Sequence, residues 1–192
     1  YDTARECLQK SGRFIGLIMQ EPTTTEIDTI LLLGRRIFRE LSMHHHYETT
    51  TDSLKELQLD VPGQELYWNF LHAHNFTMLA ITFCKVMEFH RAYRNFFPQP
   101  ISASFDAINK RLVSAEILLF RNKFSGHLFD NSTGQPLSDQ ELQSYANRLY
   151  NGQTKEEFRR WWWSQRNDPL ENSIAGNFHL LNLYFANKGH EA

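Results

Sequence analysis

Phe76-Thr77-Met78-Leu79-Ala80-Ile81-Thr82-Phe83-Cys84-Lys85-Val86-Met87-Glu88-Phe89 is the apolar stretch of this 192-residue chain around which the other helical segments are arranged. Its large apolar residues recur every three or four positions, the repeat of a helix face rather than the alternation of a strand. Thr77, Thr82, Lys85 and Glu88 interrupt it, so it falls short of the ~18 uninterrupted apolar residues of a spanning helix. The pattern runs back through Leu66, Phe70 and Leu71 to Gln64, and forward to about Phe97, where Pro98 and Pro100 close it. It predicts a central bundle helix with Leu66, Phe70, Leu71, Phe76, Leu79, Ala80, Phe83, Val86, Met87 and Phe89 facing the core. His72, His74 and His90 on this helix read as structural or solvated.

Neighbouring segments repeat the helical period. Ser102 or Ser104 offers a cap for a helix from Phe105 to about Lys123, with Ile108, Leu112, Ala115, Leu119 and Phe120 inward. Upstream, Thr3 to Gln20 reads as a helix stopped by Glu21-Pro22. Thr23-Thr24-Thr25-Glu26 then caps a second, with Ile27, Ile30, Ile37 and Leu41 inward and Arg35, Arg36 and Arg39 reaching solvent. That helix is expected to end near His44-His45-His46, with Tyr47 to Gly63 as a connection. Downstream, Ser138-Asp139-Gln140-Glu141 and Thr154-Lys155-Glu156-Glu157 each open a helix, the first ending at Asn151-Gly152. Asn167-Asp168-Pro169 separates the second from a last helix over Leu170 to Ala186. The chain is therefore predicted to be one all-α domain over 1–192, an antiparallel bundle of about five to seven helices. Its core bundle would span 64–150, with an N-terminal helical pair at 3–46 and C-terminal helices at 154–187 packed on it.

Composition narrows the function. A hydrophobic share of 41% supplies a sizeable core, and a net charge of −2 argues against a protein that coats nucleic acid non-specifically. From Lys85 to His127, however, seven basic residues face three acidic ones, so any anionic ligand is expected there. Cys7 and Cys84 are too few for a zinc knuckle or a disulfide framework, which fits a reducing cytoplasm. Tyr1-Asp2-Thr3 opens into helix-like sequence without the basic-then-apolar order of a secretory signal, and the missing initiator Met suggests a trimmed product. No metal-ligand spacing, Gly-rich phosphate loop or Gly-x-Ser-x-Gly elbow is present, and His44 and His46 lack further ligands nearby. Trp161-Trp162-Trp163 points in three directions around a helix: either a stacking platform for bases or a partner, or two rings packed between helices and one half-exposed.

The chemistry-bearing stretch is Arg121-Asn122-Lys123-Phe124-Ser125-Gly126-His127, which follows the apolar run Ile117-Leu118-Leu119-Phe120. Arg presents a fixed fork of donors matching phosphate oxygens. His titrates where proton transfer near neutrality needs it. A plainer reading is that Arg121 and Lys123 favour the negative end of a helix dipole while His127 sits in a loop. Arg121 and His127 are six positions apart. At 100° per residue they converge on one ligand only if the chain bends between them, as Ser125-Gly126 allows, or if they act across a dimer interface. Arg94, near the end of the central helix, is a candidate to join the same basic patch.

The motif resembles the Arg-x(4–6)-His signature of the HEPN superfamily, in the Arg-Asn-Lys-x-x-small-His form of its abortive-infection-like subgroup. The subgroup often continues His-Arg-Asp, whereas this chain has His127-Leu128-Phe129-Asp130. The resemblance implies a dimeric helical bundle in which two motifs line one cleft, and a metal-independent RNA endonuclease of toxin or phage-defence type. Arg121 would bind the scissile phosphate and His127 would transfer protons; Asn122, Lys123 and Arg94 would contact substrate. RNA, a second copy of the chain and an antitoxin would be its partners, with no cofactor and no membrane. The alternative is a non-catalytic HEPN-like module that binds RNA, a nucleotide or a partner protein.

Overall fold

The computed structural model describes residues 21–57, 64–124, 138–164 and 168–188. Among them the chain forms seven α-helices and no strand: α1 (Thr24–Glu56), α2 (Gln64–Tyr93), α3 (Ile101–Ser114), α4 (Ile117–Phe124), α5 (Asp139–Tyr150), α6 (Lys155–Trp162) and α7 (Ile174–Lys188). Short 3-10 turns cover Arg94–Phe96 and Leu170–Asn172. The fold is an all-α helical bundle. No helix among the described residues is long and apolar enough to cross a membrane.

Three helices start where the sequence predicts. Thr23, Ser138 and Thr154 each accept from the backbone N–H three residues on, while Glu26, Glu141 and Glu157 accept from the cap residue's own N–H. These reciprocal bonds satisfy donors the first turn leaves orphaned. At the far end of α5, Asn151 takes the left-handed conformation (φ 53°), closing the helix as a short polar residue can.

Three other expectations are corrected. First, α1 does not stop at His44-His45-His46 but continues for three more turns to Glu56. No Gly or Pro lies between Arg35 and Val61 to break it. His44 is instead fastened sideways to α2: its Nδ1 lies 2.9 Å from Asn75 Oδ1 and its Nε2 3.1 Å from Thr82 Oγ1. Thr51, in the expected connection, is buried and bonds back to the Tyr47 carbonyl at 2.8 Å. Second, the helix expected over Phe105 to Lys123 is two helices, α3 and α4. Glu116 adopts φ +54° between them, a left-handed residue that resets the phase so that Ile117 and Phe120 point inward. Leu119, expected in the core, is 43% exposed in consequence. Third, α3 opens at Ile101 without a serine cap, and Ser104 Oγ donates to the Glu171 carbonyl at 3.1 Å. Phe70 also departs from expectation, lying 66% exposed on the first half of α2.

α1 and α2 run antiparallel, with Glu40 beside Lys85 and Asp52 beside His72. α7 runs antiparallel along α1, where Gly34 admits the Asn182 and Phe178 side chains against the backbone. α1 and α7 both contribute buried residues to the core around α2. The predicted segment 3–20 lies outside the described residues. At the α2–α3–α7 junction Phe89, Phe97, Phe105 and Phe178 meet with ring centroids 5.0 to 6.5 Å apart. Such aromatic pairs add to the stabilisation from their area burial. Arg111 joins α3 to the opposite end, donating through Nη2 to the Leu149 carbonyl at 2.8 Å and to Gln153 Oε1 at 2.6 Å, with its guanidinium 3.7 Å over the Trp161 ring. Burial lowers its pKa to about 10.

Candidate functional site

α4 carries the basic motif to the surface between α2 and α5. Ile117 and Phe120 anchor it, with the Phe120 ring edge-on to Phe76 at 5.6 Å and to Tyr145 at 5.5 Å. With Phe120 buried, Arg121 and Asn122 follow at the rim of the core. Arg121 Nη1 lies 3.1 Å from Glu88 Oε1 on α2, and its Nε and Nη2 each lie 3.3 Å from Asn122 Oδ1. The guanidinium is thus oriented by its sequence neighbour and faced by a carboxylate. Lys123 Nζ stands 3.8 Å from Glu141 Oε1, the capping-box residue of α5. Both cations occupy the last turn of α4, where the helix dipole favours them.

The structure therefore brings Arg121, Asn122 and Lys123 onto one short helix beside Glu88 and Glu141. His127 lies outside the described residues, as do Ser125 and Gly126. Arg94 is exposed on the turn after α2, and no hydrogen bond or ion pair among the described residues joins it to Arg121. Beneath the motif, Cys84 is buried against the Ile117 carbonyl, and burial pushes its thiol up to about 11, so it is a core residue and not a nucleophile.

His44, His45, His72, His90 and the three tryptophans at 161–163 are packed within the fold, whereas His46 and His74 are exposed. Burial holds His44, His45, His72 and His90 below the usual histidine pKa. For His90 this outweighs the raising effect of Asp106, whose Oδ1 lies 2.9 Å from Nε2. Trp162 is fully buried, Trp161 lies under Arg111, and Trp163 stacks on His45 at 4.8 Å. Each of the three indoles has intramolecular packing. Among the described residues, no three His, Cys, Asp or Glu side chains are arranged to hold a metal ion.

A polar network that sequence reasoning missed lies between α1, α2 and α6. Lys155 Nζ sits 2.7 Å from Asp52 Oδ1 and 3.5 Å from Glu48 Oε1; Arg159 Nη1 is 3.6 Å and His72 Nε2 3.9 Å from Asp52. Glu48 has only 12% of its side chain exposed, and burial raises its pKa despite Lys155. The sequence signal was thin: Glu48, Asp52 and Lys55 share a helix face only once α1 is known to run through the histidines.

No family model matches the chain, and no curated protein sequence is similar to it. Its fold is similar to that of an integron cassette protein, Vpc_cass2, from the mobile metagenome of V. paracholerae. The two agree with a TM-score of 0.68 over 87% of this chain and 99% of that one, at 17% identity. At that identity the likeness shows the shared fold alone.

Proposed function

We propose that this protein is an RNA endonuclease of the HEPN type that works without a metal ion. The observation supporting this reading is the Arg121–Asn122 pair, held at the end of α4 with the guanidinium 3.3 Å from the Asn122 side chain. A fork oriented in this way suits a phosphate. On this reading the 2′-hydroxyl attacks the adjacent phosphodiester, the bond to the 5′-oxygen breaks, and a cyclic phosphate remains. Arg121 stabilises the charge that develops on the phosphate, Lys123 adds attraction, and His127 transfers the proton. Two copies of the chain would bring two motifs to one cleft, in a cytoplasmic toxin or phage-defence protein restrained by an antitoxin.

A second reading, a non-catalytic module for RNA, a nucleotide or a partner protein, is favoured by Glu88. Its carboxylate faces the Arg121 fork at 3.1 Å, where a phosphate oxygen would sit. Incubation of the wild type and of Arg121→Ala and His127→Ala variants with total RNA and a tRNA pool in EDTA separates the two. Cleavage by the wild type alone supports the nuclease. Intact RNA in all three, with binding retained by the wild type, supports the module.

A further inference from the structure

Where the last turns of α1 pass α2 and the start of α6, the described residues line a cavity of about 280 Å³. Its apolar lining is Phe76, Leu79 and Phe158, with the Tyr150 ring stacked on Phe158 at 4.4 Å. Its polar lining is Glu48, Lys55, His72, Asn75 and Lys155. An apolar cavity of roughly 150 Å³ holds a benzene ring. This one therefore has room for a ring or branched chain together with a charged head.

The hydrogen-bond inventory sets the sign of that head. The acids are already served: Glu48 and Asp52 share Lys155, and Asp52 also faces Arg159 and His72. The Glu48 carboxylate is held by Lys155 Nζ at 3.5 Å, so its charge is met within the protein. The donors are not all served. Asn75 is buried, and its Oδ1 is used by His44, which leaves its Nδ2 with no partner among the described residues. The Tyr150 hydroxyl and the Lys55 ammonium likewise have no hydrogen-bond or ion-pair partner there. These donors are open to the cavity and can each serve an acceptor that a ligand brings.

We propose that this cavity binds a small organic carboxylate with an aromatic or branched aliphatic body. The body packs on Phe76, Leu79 and Phe158, and the carboxylate accepts from Asn75, Tyr150 and Lys55. A ligand ammonium in the same place meets Lys55, Lys155 and unpaired N–H donors. The site is independent of the nuclease reading, because none of its residues belongs to the Arg121–His127 motif.

The test is calorimetric or NMR titration of the full chain with phenylacetate and 4-methylpentanoate, and with phenethylamine as an isostere of opposite charge. At least one acid saturates with a dissociation constant of about 1 mM or tighter, and phenethylamine binds at least about tenfold more weakly. Tyr150→Phe and Lys55→Gln each weaken acid binding about fivefold or more while the melting temperature stays that of the wild type. Lys55 is exposed, so its variant keeps the test valid if Tyr150→Phe perturbs folding. Failure of both acids to saturate overturns the proposal. So does equal binding of the amine, or wild-type affinity in the Lys55→Gln variant.

Discussion

Arg121 meets Glu88 with 34% of its own side chain exposed and 54% of the glutamate's. An ion pair so open to water contributes about 0 to 1 kcal/mol, so Glu88 competes with a phosphate for the guanidinium more than it holds α2 to α4. Glu88→Gln is therefore expected to leave stability within about 1 kcal/mol of the wild type. It should raise affinity for a short RNA several-fold in a filter-binding or anisotropy titration. Weaker binding by Glu88→Gln at unchanged stability would mean that the carboxylate positions the fork instead of masking it. Asn122 could be read from the sequence as the partner of Arg121 because it is the next residue. Glu88, 33 positions earlier, could not, because only the packing of α4 on α2 brings it there.

Helices were legible in proportion to how local their determinants are. The boxes at Thr23, Ser138 and Thr154 involve residues three apart, and all three form. The break at Glu116 was invisible because a glutamate in the left-handed region costs about 1–2 kcal/mol and gives no sequence signal. Burial of Ile117 and Phe120 follows from that turn. The start of α7 supplies a sharper test of close packing. A Cβ on Gly176 would lie 1.9 Å from the Leu170 carbonyl oxygen, a backbone atom, whereas one on Gly34 meets the Asn182 side chain at 3.0 Å. Gly176→Ala is expected to destabilise by about 3 kcal/mol. Gly34→Ala should stay within about 1 kcal/mol, since the helical preference of Ala offsets a contact that a side chain can relieve. Urea unfolding measures both, and equal costs would contradict the packing described.

For the whole molecule, four histidines held neutral by burial set the response to acid. Their folded pKa values lie below the unfolded value of about 6.5, so the unfolded chain takes up more protons as pH falls through that value. Stability is lost on the acid side. Glu48 acts oppositely, because its raised pKa makes the folded state bind protons just above the ordinary carboxylate pKa. The melting temperature is expected to fall between pH 7 and about pH 5.5, with the histidines outweighing Glu48; a flat or rising profile over that range would contradict the neutral assignments. The bundle itself was legible from the apolar period of α2. The cavity was not, because Glu48, His72 and Lys155 converge from three helices. The central functional claim is attack by a 2′-hydroxyl, and its most direct test is a defined RNA oligonucleotide carrying one 2′-deoxy nucleotide at the cleaved position, with product ends read by mass spectrometry. The unmodified strand is expected to be cut to a 2′,3′-cyclic phosphate in EDTA, and the single deoxy substitution is expected to abolish that cut. Cleavage of the substituted strand at the same bond, or a product ending in a free 3′-hydroxyl, would contradict it.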